Sequence, residues 1–544
     1  MSGPGTDASR GGAWRGAALR IGAQARGRST MFYFGLAALF IIAILANLVW
    51  NWAAPGVKNA SLDLAVRMRL SSPPPDPAIL IVDIDERSLA LLAPQHGRWP
   101  WPRSVIAETI AGLSDAGAKS ILVNLTFSDP DKDHPEDDAA LQDVLAHTPN
   151  TVLPITRLNP ANDSRSQVAI TRFAGAQIHD AAAAAKPVAV LVPAFSASYD
   201  RLGFNNLRVD SDGAVRRFDP WLNEPAFSFP SLPLRALEAG KISSRIGSAD
   251  FPDGMILNWR NKRGDYERRS FADVAADLEA GKTDRYRGRF IVLGATATGL
   301  GGIRGTAAAA VTDDNTILAT AMDDMKAGSW LRMIPAWVTA LLSILSILGL
   351  AATFMLRMEQ RWTNTVFGTL QTGFIAVTIY SISYTPYLLD ISSTILFALC
   401  YFTITKVYAA IHLSAVRGNP VFSDFLQGHA DKPFLLIGID GGESTKQRVR
   451  TMVRRMERRF GLSNVLHVDN LFGSGHVLQP STQNLSFVVL AAAQEEFSAT
   501  RKEAEEIVRA SMLKPYLVDV PVEGDMQDVH RLSKAMLGAA SDMV

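Results

Sequence analysis

Residues 78–127 read AILIVDIDERSLALLAPQHGRWPWPRSVIAETIAGLSDAGAKSILVNLTF. The stretch opens with the apolar run 78–85 and closes with the apolar run 120–127. Such near-continuous runs are typical of strands that are buried on both faces of a sheet. Between them, apolar residues recur at helical spacing from Ile106 to Leu113. A strand, a helix and a second strand in this order predict a parallel α/β sheet.

Two later apolar runs, PVAVLVPAF at 187–195 and RFIVLGATA at 289–297, predict two more buried strands. In an open parallel sheet, ligands bind in a crevice beyond the carboxyl ends of the strands. Asp83 and Asp85 stand at the end of the first strand, two residues apart and therefore on one side of it. Both are candidate ligand-binding residues.

The segment GRWPWPR, at 97–103, is predicted to join the end of the first strand to the helix and to cover the crevice. Pro100 and Pro102 fix their own φ angles and favour extended backbone at Trp99 and Trp101, so little conformational entropy is lost when this corner packs. Two interpretations of the tryptophans stay open. They form a structural clip that closes the end of the core, or they contact a ligand directly, which makes both candidate ligand-binding residues.

Arg98 and Arg103 flank the two indoles and are further candidate ligand-binding residues. Guanidinium groups stack on aromatic faces and form bidentate pairs with carboxylates. We therefore expect these arginines to stack on the tryptophans or to pair with Asp83 or Asp85.

The composition bounds the class of protein. A chain of 544 residues is too long for one typical core, so several folded units are expected. The 54 basic and 53 acidic residues leave a net charge of +1, which gives no global field to recruit nucleic acid. Cys400 is the single cysteine, and the nine histidines are scattered, so neither a metal site nor another cofactor is expected. The acidic segment DPDKDHPEDDAA, from 129, lacks the glycine and the glutamate of a calcium loop and is interpreted as a solvated loop.

Residues 32–50 carry no charge over the length of ~20 residues that crosses a bilayer, and they predict a transmembrane helix at 31–52. The preceding tail, 1–30, holds five arginines and one aspartate, so the amino terminus is expected in the cytoplasm. A cleaved signal peptide is the competing interpretation. Trp50 and Trp52 favour the uncleaved anchor because they suit a membrane interface better than a cleavage site.

Three more apolar spans, at 334–356, 363–384 and 386–406, complete a prediction of four transmembrane helices. Positive charge lies between the first two of them and directly after the last, which places the carboxyl terminus in the cytoplasm. Residues 53–333 are then extracytoplasmic. The chain is expected to be a multi-pass membrane protein.

After a linker at 407–432, residues 433–540 show the order strand, helix, strand, strand, helix, strand, which predicts an α+β ferredoxin-like domain in the cytoplasm. Each helix carries one apolar stripe, so both can cover one face of a four-stranded sheet. The stripes are Val449, Val453, Met456 and Phe460 on the first helix and Ala504, Val508 and Met512 on the second. The first helix is also the most basic segment of the chain. It is either a solvated face or a surface that binds acidic lipid, a nucleotide or an acidic partner.

Nucleotide cyclases share this fold, and their two-metal chemistry needs paired carboxylates. Asp440 occupies the first of these places, after the first strand, but the predicted hairpin at 470–485 has no carboxylate. A non-catalytic domain is therefore expected, with a divergent cyclase as the alternative.

The long segment from 78 through SDPD at 131 resembles the start of a CHASE2 domain, the extracytoplasmic sensory module of bacterial receptors. The resemblance continues through LGFNNLRVDSDGAVRRF at 202–218, FSFPSLPLRAL at 227–237 and GRFIVLGATATGLGG at 288–302. It covers about 58 to 332, and the three-helix group behind it is also the family's usual arrangement.

Three positions depart from the family's pattern. The family usually has aspartate where this chain has Asn124 and Gly302, and a histidine where it has Thr320. Asn124 is a candidate ligand-binding residue, because it replaces an aspartate at a position that could line the family's pocket.

The resemblance implies an inner-membrane sensory receptor that detects an unknown periplasmic ligand and transmits the signal through its late helices to a cytoplasmic domain and a signalling partner. A homodimer is expected by analogy with receptors. Two alternatives stay open: the divergent cyclase, and an envelope scaffold that holds another protein and senses nothing.

Overall fold

The computed structural model describes most of the chain. The described residues are 28–52, 55–243, 245–260, 265–356, 358, 360–417, 425–426, 428–429, 432–441, 443–469, 485–522, 532, 535–536, 538–540 and 543.

The described elements alternate between helices and short strands. The helices are α1 (Arg28–Trp50), α2 (Pro55–Met68), α3 (Glu86–His96), α4 (Arg103–Asp115), α5 (Pro135–His147), α6 (Ala181–Ala184), α7 (Leu232–Ala239), α8 (Phe271–Glu279), α9 (Asp314–Ala327), α10 (Ala336–Met355), α11 (Gln360–Tyr384), α12 (Ser392–Arg417), α13 (Glu443–Phe460) and α14 (Phe497–Ala510). The strands are β1 (Ile79–Ile84), β2 (Ser120–Asn124), β3 (Thr151–Arg157), β4 (Gln177–Ile178), β5 (Val190–Leu191), β6 (Leu202–Phe204), β7 (Ala214–Val215), β8 (Arg217–Phe218), β9 (Trp221–Asn223), β10 (Phe227–Pro230), β11 (Met255–Ile256), β12 (Glu267–Ser270), β13 (Phe290–Ala295), β14 (Ile303–Thr306), β15 (Thr312–Asp313), β16 (Arg332–Met333), β17 (Tyr387–Leu388), β18 (Phe434–Asp440), β19 (Val465–Val468), β20 (Leu485–Ala491) and β21 (Pro515–Val520).

The chain divides into two compact units. The first comprises Ala54–Thr339 with Thr372–Ser392, and the second comprises the remaining segments. The first unit is built on a sheet in which β12, β1, β13, β2 and β3 lie side by side in parallel. A parallel α/β sheet is what the sequence predicts here.

Helices cover both faces of this sheet, and β1 shows how the sequence allows it. Leu80 and Val82 belong to one core, which α4, α5 and α8 close. Ile79 and Ile81 belong to the core on the opposite face, which α2, α7 and α9 close. Since successive side chains of a strand point to opposite faces, a strand between two cores must be apolar wherever its side chains enter those cores, as Ile79 to Val82 do.

The sequence misplaces one strand and leaves several helices unpredicted, among them α3 and α5, and α5 begins inside the acidic segment that was interpreted as a solvated loop. The predicted strand at 187–195 is reduced to the two residues of β5, because Pro187 and Pro193 cannot donate to a ladder. The strand next to β2 is instead β3, which contains Pro154 and therefore gives a weak signal. Helix α3 follows β1 directly, so the corner at 97–103 joins two helices and does not join a strand to a helix.

Two contacts fasten the ends of the first unit. Arg216 is 3% exposed and forms ion pairs with Asp63 of α2 and with Asp210 and Asp212. Strand β16 pairs in parallel with β17, so the segment before α10 is held to the segment before α12.

Three helices of the described residues are long and apolar enough to cross a membrane: Phe32–Trp50, Ala336–Met355 and Arg361–Tyr384. Ser392–Tyr408, within α12, is a shorter apolar helix. In the second unit Ile44 of α1, Ile347 of α10 and Tyr401 of α12 share one buried cluster.

The second unit also holds an antiparallel four-stranded sheet in the order β19, β20, β18, β21. Helices α13 and α14 cover one face through Val449, Val453, Met456, Ala504 and Val508. These residues belong to the two apolar stripes in the sequence. The hairpin at 470–485, which the sequence shows to lack a carboxylate, lies outside the described residues apart from Leu485.

The opposite face of this sheet is also covered, which the sequence analysis did not predict. Leu532, Met536, Ala539 and Ala540 pack with Leu426 against the face that Phe434 and Phe487 present. Leu426 lies within the predicted linker, so part of that linker packs on the domain.

Candidate functional site

Asp83 lies at the carboxyl end of β1, on the face of the sheet that α9 covers, and it is 5% exposed. Both of its carboxylate oxygens accept hydrogen bonds from Arg268 of β12, at 2.7 and 2.8 Å. Arg268 also donates to Asp313 at 3.0 Å and to Thr316 at 2.8 Å. The predicted site residue is therefore a paired carboxylate, held by the neighbouring strand and by the start of α9.

Asn315, in the first turn of α9, connects Asp83 to the next strands. It is 1% exposed, and its side chain lies over Gly294 of the central strand β13, where a Cβ would come within 2.8 Å of its Cγ. Its Nδ2 points to Asp83 Oδ1 at 3.5 Å, and its Oδ1 accepts a hydrogen bond from Asn124 at 3.1 Å. Only glycine at 294 leaves room for this crossing.

The chain of hydrogen-bonded side chains continues from Asn124 of β2 towards β3. Asn205 donates to Asn124 Oδ1 at 3.3 Å, and Thr156 of β3 donates to Asn205 Oδ1 at 2.7 Å. Arg268, Asp83, Asn315, Asn124, Asn205 and Thr156 thus form a continuous polar row across the carboxyl ends of the sheet. Asn124, Asn205 and Thr156 are half-buried, so this end of the polar row is open to a ligand.

Asp85 does not belong to the polar row. It is the N-cap of α3, where its Oδ1 accepts from the Ser88 backbone N–H, the Ser88 hydroxyl and the Ser270 hydroxyl. Burial raises the pKa of Asp85, but these hydrogen bonds outweigh burial and hold the pKa below its ordinary value. Asp85 is therefore occupied by local structure.

The tryptophan corner lies on the other face of the sheet from the polar row. Trp101 is 4% exposed, packs in the core of Leu80 and Val82, and lies 5.5 Å from the ring of Phe271. Trp99 is half-buried and meets Trp101 edge to face at 5.1 Å. This packing favours the structural clip. The buried indole N–H of Trp101 has no acceptor among the described residues, so contact with a ligand stays open.

Neither arginine of the corner pairs with Asp83 or Asp85, contrary to the expectation from sequence. Arg103 pairs with Asp138 and lies over the rings of Phe127 and Phe195, at 5.7 and 5.5 Å. It therefore ties the corner to the acidic segment at 129–140, and Arg98 is exposed.

The positions that depart from the family's pattern fall on or next to α9. A Cβ at Gly302 would come within 2.6 Å of the Asp314 Cγ, so that carboxylate fills the place of a side chain at 302. Thr320 is 1% exposed and donates to the Thr316 carbonyl, and so it is internal to the helix.

The far end of α9 enters a second polar cluster, the base network, which consists of Arg69, Asn258, Arg260, Asp323 and Asp324. Arg260 is 3% exposed and donates to Asp323 at 3.1 Å and to Asp324 at 2.9 Å. Asn258 accepts from Arg69 and donates its backbone N–H to Asp324, at 2.8 and 2.7 Å. Burial raises the pKa of Asp324 to about 6, although Arg260 opposes the shift.

A family model for the CHASE2 domain matches residues 36–353, more than half of the chain. The chain belongs to the CHASE2 domain family. CHASE2 domains are sensory domains, so this membership supports a sensor role, and together with the three apolar helices it indicates a membrane protein. The match includes β1, the corner, the polar row and α9. This CHASE2 chain matches no curated protein and no solved structure.

The sequence analysis missed Arg268, Asn205 and Asn315. Arg268 and Asn315 stand 185 and 232 residues from Asp83, and no periodic pattern marks single polar residues of this kind. One local signal was present for Asn315: the sequence DDNT at 313–316 has the aspartate and threonine that mark a helix start.

Proposed function

We propose that the chain is an inner-membrane sensory receptor in which α9 carries the signal from the polar row to the membrane. The observation that supports this is the double attachment of α9. Asn315 of its first turn lies in the polar row, and Asp323 and Asp324 of its last turns lie in the base network. Residues 328–335 then lead directly into the apolar helix α10.

A helix of 14 residues is about 21 Å long and transmits displacement along its axis with little compression. A ligand that contacts Asn124 or Asn205 competes for the hydrogen bonds that these amides share with Asn315. If the ligand binds more tightly when Asn315 is in one of two positions, it shifts the population of α9 towards the corresponding position of the helix. The buried ion pairs of the base network favour a change of α9 between two distinct arrangements over a gradual displacement. A gradual displacement would leave buried charges without partners, which costs free energy.

The proposal includes four transmembrane helices, with α12 as the fourth, and both termini in the cytoplasm. The distribution of arginine and lysine in the sequence supports this orientation. The antiparallel sheet of β18 to β21 is the proposed output domain, with a ferredoxin-like fold, without catalysis, and paired in a homodimer. Its strand order, with β18 and β20 in the centre, is the order that a ferredoxin-like plait requires.

The test uses the full chain in lipid nanodiscs. Thermal unfolding is followed against a library of periplasmic metabolites and ions, for the parent and for Asn124→Ala, Asn205→Ala and the control Asn162→Ala. A compound that raises the unfolding midpoint of the parent and the control, but not of the two polar-row variants, supports a receptor. No shift with any compound, together with a protein that copurifies in stoichiometric amount, would favour the scaffold.

The divergent cyclase has one observation in its favour. Asp440 ends β18, and Asp469 directly follows β19, so two carboxylates lie at the same end of the sheet, and Asp440 is exposed. They are two strands apart, roughly 10 Å by strand spacing, and Asp469 pairs with His467 at 3.1 Å. The test is turnover of a purine nucleoside triphosphate by the full chain. Turnover that requires Mg²⁺ and is abolished by Asp440→Ala would show that the output domain is catalytic.

A further inference from the structure

Helix α13 has one face that is entirely basic and polar. The helix contains seven basic and two acidic residues, and its apolar side chains all turn to the sheet. The opposite face consists of Arg448, Thr451, Arg454, Arg455 and Arg458, and all five are exposed. We call these five residues the arginine face.

Four arginines of this face form no ion pair with the described residues. Other basic residues of α13 have partners: Arg459 pairs with Glu503 at 2.9 Å, and Arg450 lies 3.9 Å from Asp469. Within the described part of the chain, no carboxylate lies within ion-pair distance of Arg448, Arg454, Arg455 or Arg458. Their charge is therefore available to a partner outside the domain.

The composition of the face indicates the kind of partner. Stable protein interfaces have a core of aromatic and aliphatic side chains, and the arginine face has none. A surface that attracts through charge alone suits a dense, flat array of phosphates, because guanidinium groups bind phosphate bidentately. Anionic phospholipid headgroups form such an array.

The chain also keeps the domain that carries this face near the end of α12. Helix α12 ends at Arg417, and Phe425 already packs with the sheet domain. Seven residues, and therefore eight Cα–Cα steps, separate these points, so the tether spans at most about 28 Å even when fully extended. A surface that is tethered at this range meets the bilayer at a high effective concentration, and weak contacts suffice to hold it.

We propose that the arginine face docks the output domain on the anionic lipid surface of the leaflet next to the end of α12. In the docked state α13 lies along the headgroups, and the sheet face that the carboxyl-terminal segment covers points away from the membrane. The inference goes beyond the proposed receptor function and does not depend on a ligand in the polar row.

The experiment measures the distance of α13 from the headgroups in the full chain. Cys400→Ser removes the single cysteine, and Ser463→Cys places a fluorophore just beyond α13 at an exposed position. Nanodiscs carry a headgroup nitroxide quencher in purely zwitterionic lipid or with one-third phosphatidylglycerol. We expect about twofold stronger quenching in the anionic discs, and the difference should disappear at about 0.5 M NaCl, where screening is nearly complete over a few ångströms.

A matched pair of variants decides the assignment. Arg454→Gln, Arg455→Gln and Arg458→Gln together should abolish the lipid-dependent quenching. Lys502→Gln, Arg509→Gln and Lys514→Gln, three exposed cations on or after α14, remove the same charge and should leave it intact. Equal unfolding midpoints of the two variants exclude a folding defect.

Two outcomes would overturn the proposal. One is equal quenching in both lipids, or equal loss in both triple variants. The other is a shift of the fluorophore emission by soluble polyglutamate that is lost in the arginine-face variant, while the lipid composition has no effect. The arginine face would then bind an acidic protein. Either result leaves the test of Asn124 and Asn205 unaffected.

Discussion

The amide of Asn315 lies directly over the backbone of Gly294, and a Cβ at position 294 would come within 2.8 Å of the Asn315 Cγ. Gly294 belongs to β13, the strand between β1 and β2, so the missing side chain opens the passage through which the polar row crosses the sheet. The glycine is thus part of the candidate site, although it offers no functional group.

Gly294→Ala should therefore destabilise the chain by about 1–3 kcal/mol, the usual range for overpacking a filled site. The double variant Gly294→Ala with Asn315→Ala should recover part of this loss, because the clash disappears. Gly305→Ala is the control, since its Cβ would meet its nearest neighbour at 3.7 Å. Denaturant unfolding measures all three. An equal loss for Gly294→Ala with and without Asn315 would show that the strand itself is strained.

Arg268→Gln should lower the free energy of unfolding by about 2–3 kcal/mol, because it leaves the buried Asp83 without its partner. The expected loss is below that of a fully buried pair, since the Arg268 side chain is 34% exposed. A double-mutant cycle with Asp83→Asn should give a clear coupling energy. The same cycle on the exposed pair Arg87 and Asp273 should give less than about 1 kcal/mol. Equal couplings would rule out a structural role for the buried pair.

Asp324 should make the stability of the chain fall between pH 4 and pH 6. Burial raises the pKa of Asp324 to about 6 in the folded chain, above its ordinary value of 3.8. The folded state then keeps a proton that the unfolded state has released, so rising pH favours unfolding through this window, by at most about 1.4 kcal/mol per pH unit.

Asp324→Asn should reduce this slope to the part that Asp314 contributes, because burial raises the pKa of Asp314 as well. Asp284→Asn, at a fully exposed aspartate, should keep the whole slope. Aspartates with a lowered pKa, such as Asp313 and Asp76, change the free energy of unfolding mainly at pH values below their ordinary pKa, and so below the window from pH 4 to pH 6. Denaturant unfolding at several pH values provides the measurement. A slope that stays undiminished in Asp324→Asn would have to come from another group.

Trp101→Ala should cost about 3–5 kcal/mol of stability, as removal of a large buried aromatic residue does. Trp99→Ala should cost less, because Trp99 is half-buried. If both variants still respond to the same compound in the nanodisc screen, the corner is a structural clip. A response lost in Trp101→Phe, with stability retained, would instead place the corner in a ligand site.

Met536→Ala should lower the stability of the domain formed by β18 to β21 by about 2–4 kcal/mol, because Met536 is fully buried on its sheet. Met512→Ala removes the same atoms at a position that is 85% exposed and should have almost no effect. Limited proteolysis of the full chain, followed over denaturant, distinguishes the two. Equal protection in both variants would mean that the carboxyl-terminal segment adds little to the fold.

The sequence predicts the buried strands and helices well where burial leaves a pattern. β1, β2 and β13 lie between two cores and are apolar except at Asp83, Ser120 and Asn124. α13 and α14 each bury one stripe at helical spacing, although Met512, predicted as part of the second stripe, lies beyond α14 and is exposed. β3 is missed because Pro154 interrupts its signal, and the cover over the second face of the small sheet is missed because its contacts come from segments with no strong pattern.

The candidate site is predicted only in part. Asp83 is recognisable because it stands at the end of a predicted strand, and Asn124 because it departs from the pattern of the family that the sequence resembles. Their partners are not, because Arg268 and Asn315 reach them only through the sheet order, which brings together residues far apart in the chain. The arginines of the corner were paired by proximity in sequence, whereas Arg103 turns towards the segment after β2.

The contact between Gly302 and Asp314 bears on how relatives of this chain should be compared. Aligned residue by residue, the chain has lost the acidic group that the family usually carries at 302. In space, the Asp314 carboxylate stands where that side chain would begin, with Arg304 at 3.2 Å. A relative with aspartate at 302 and a smaller residue at 314 would carry its negative charge in the same region, so we expect these two positions to vary together.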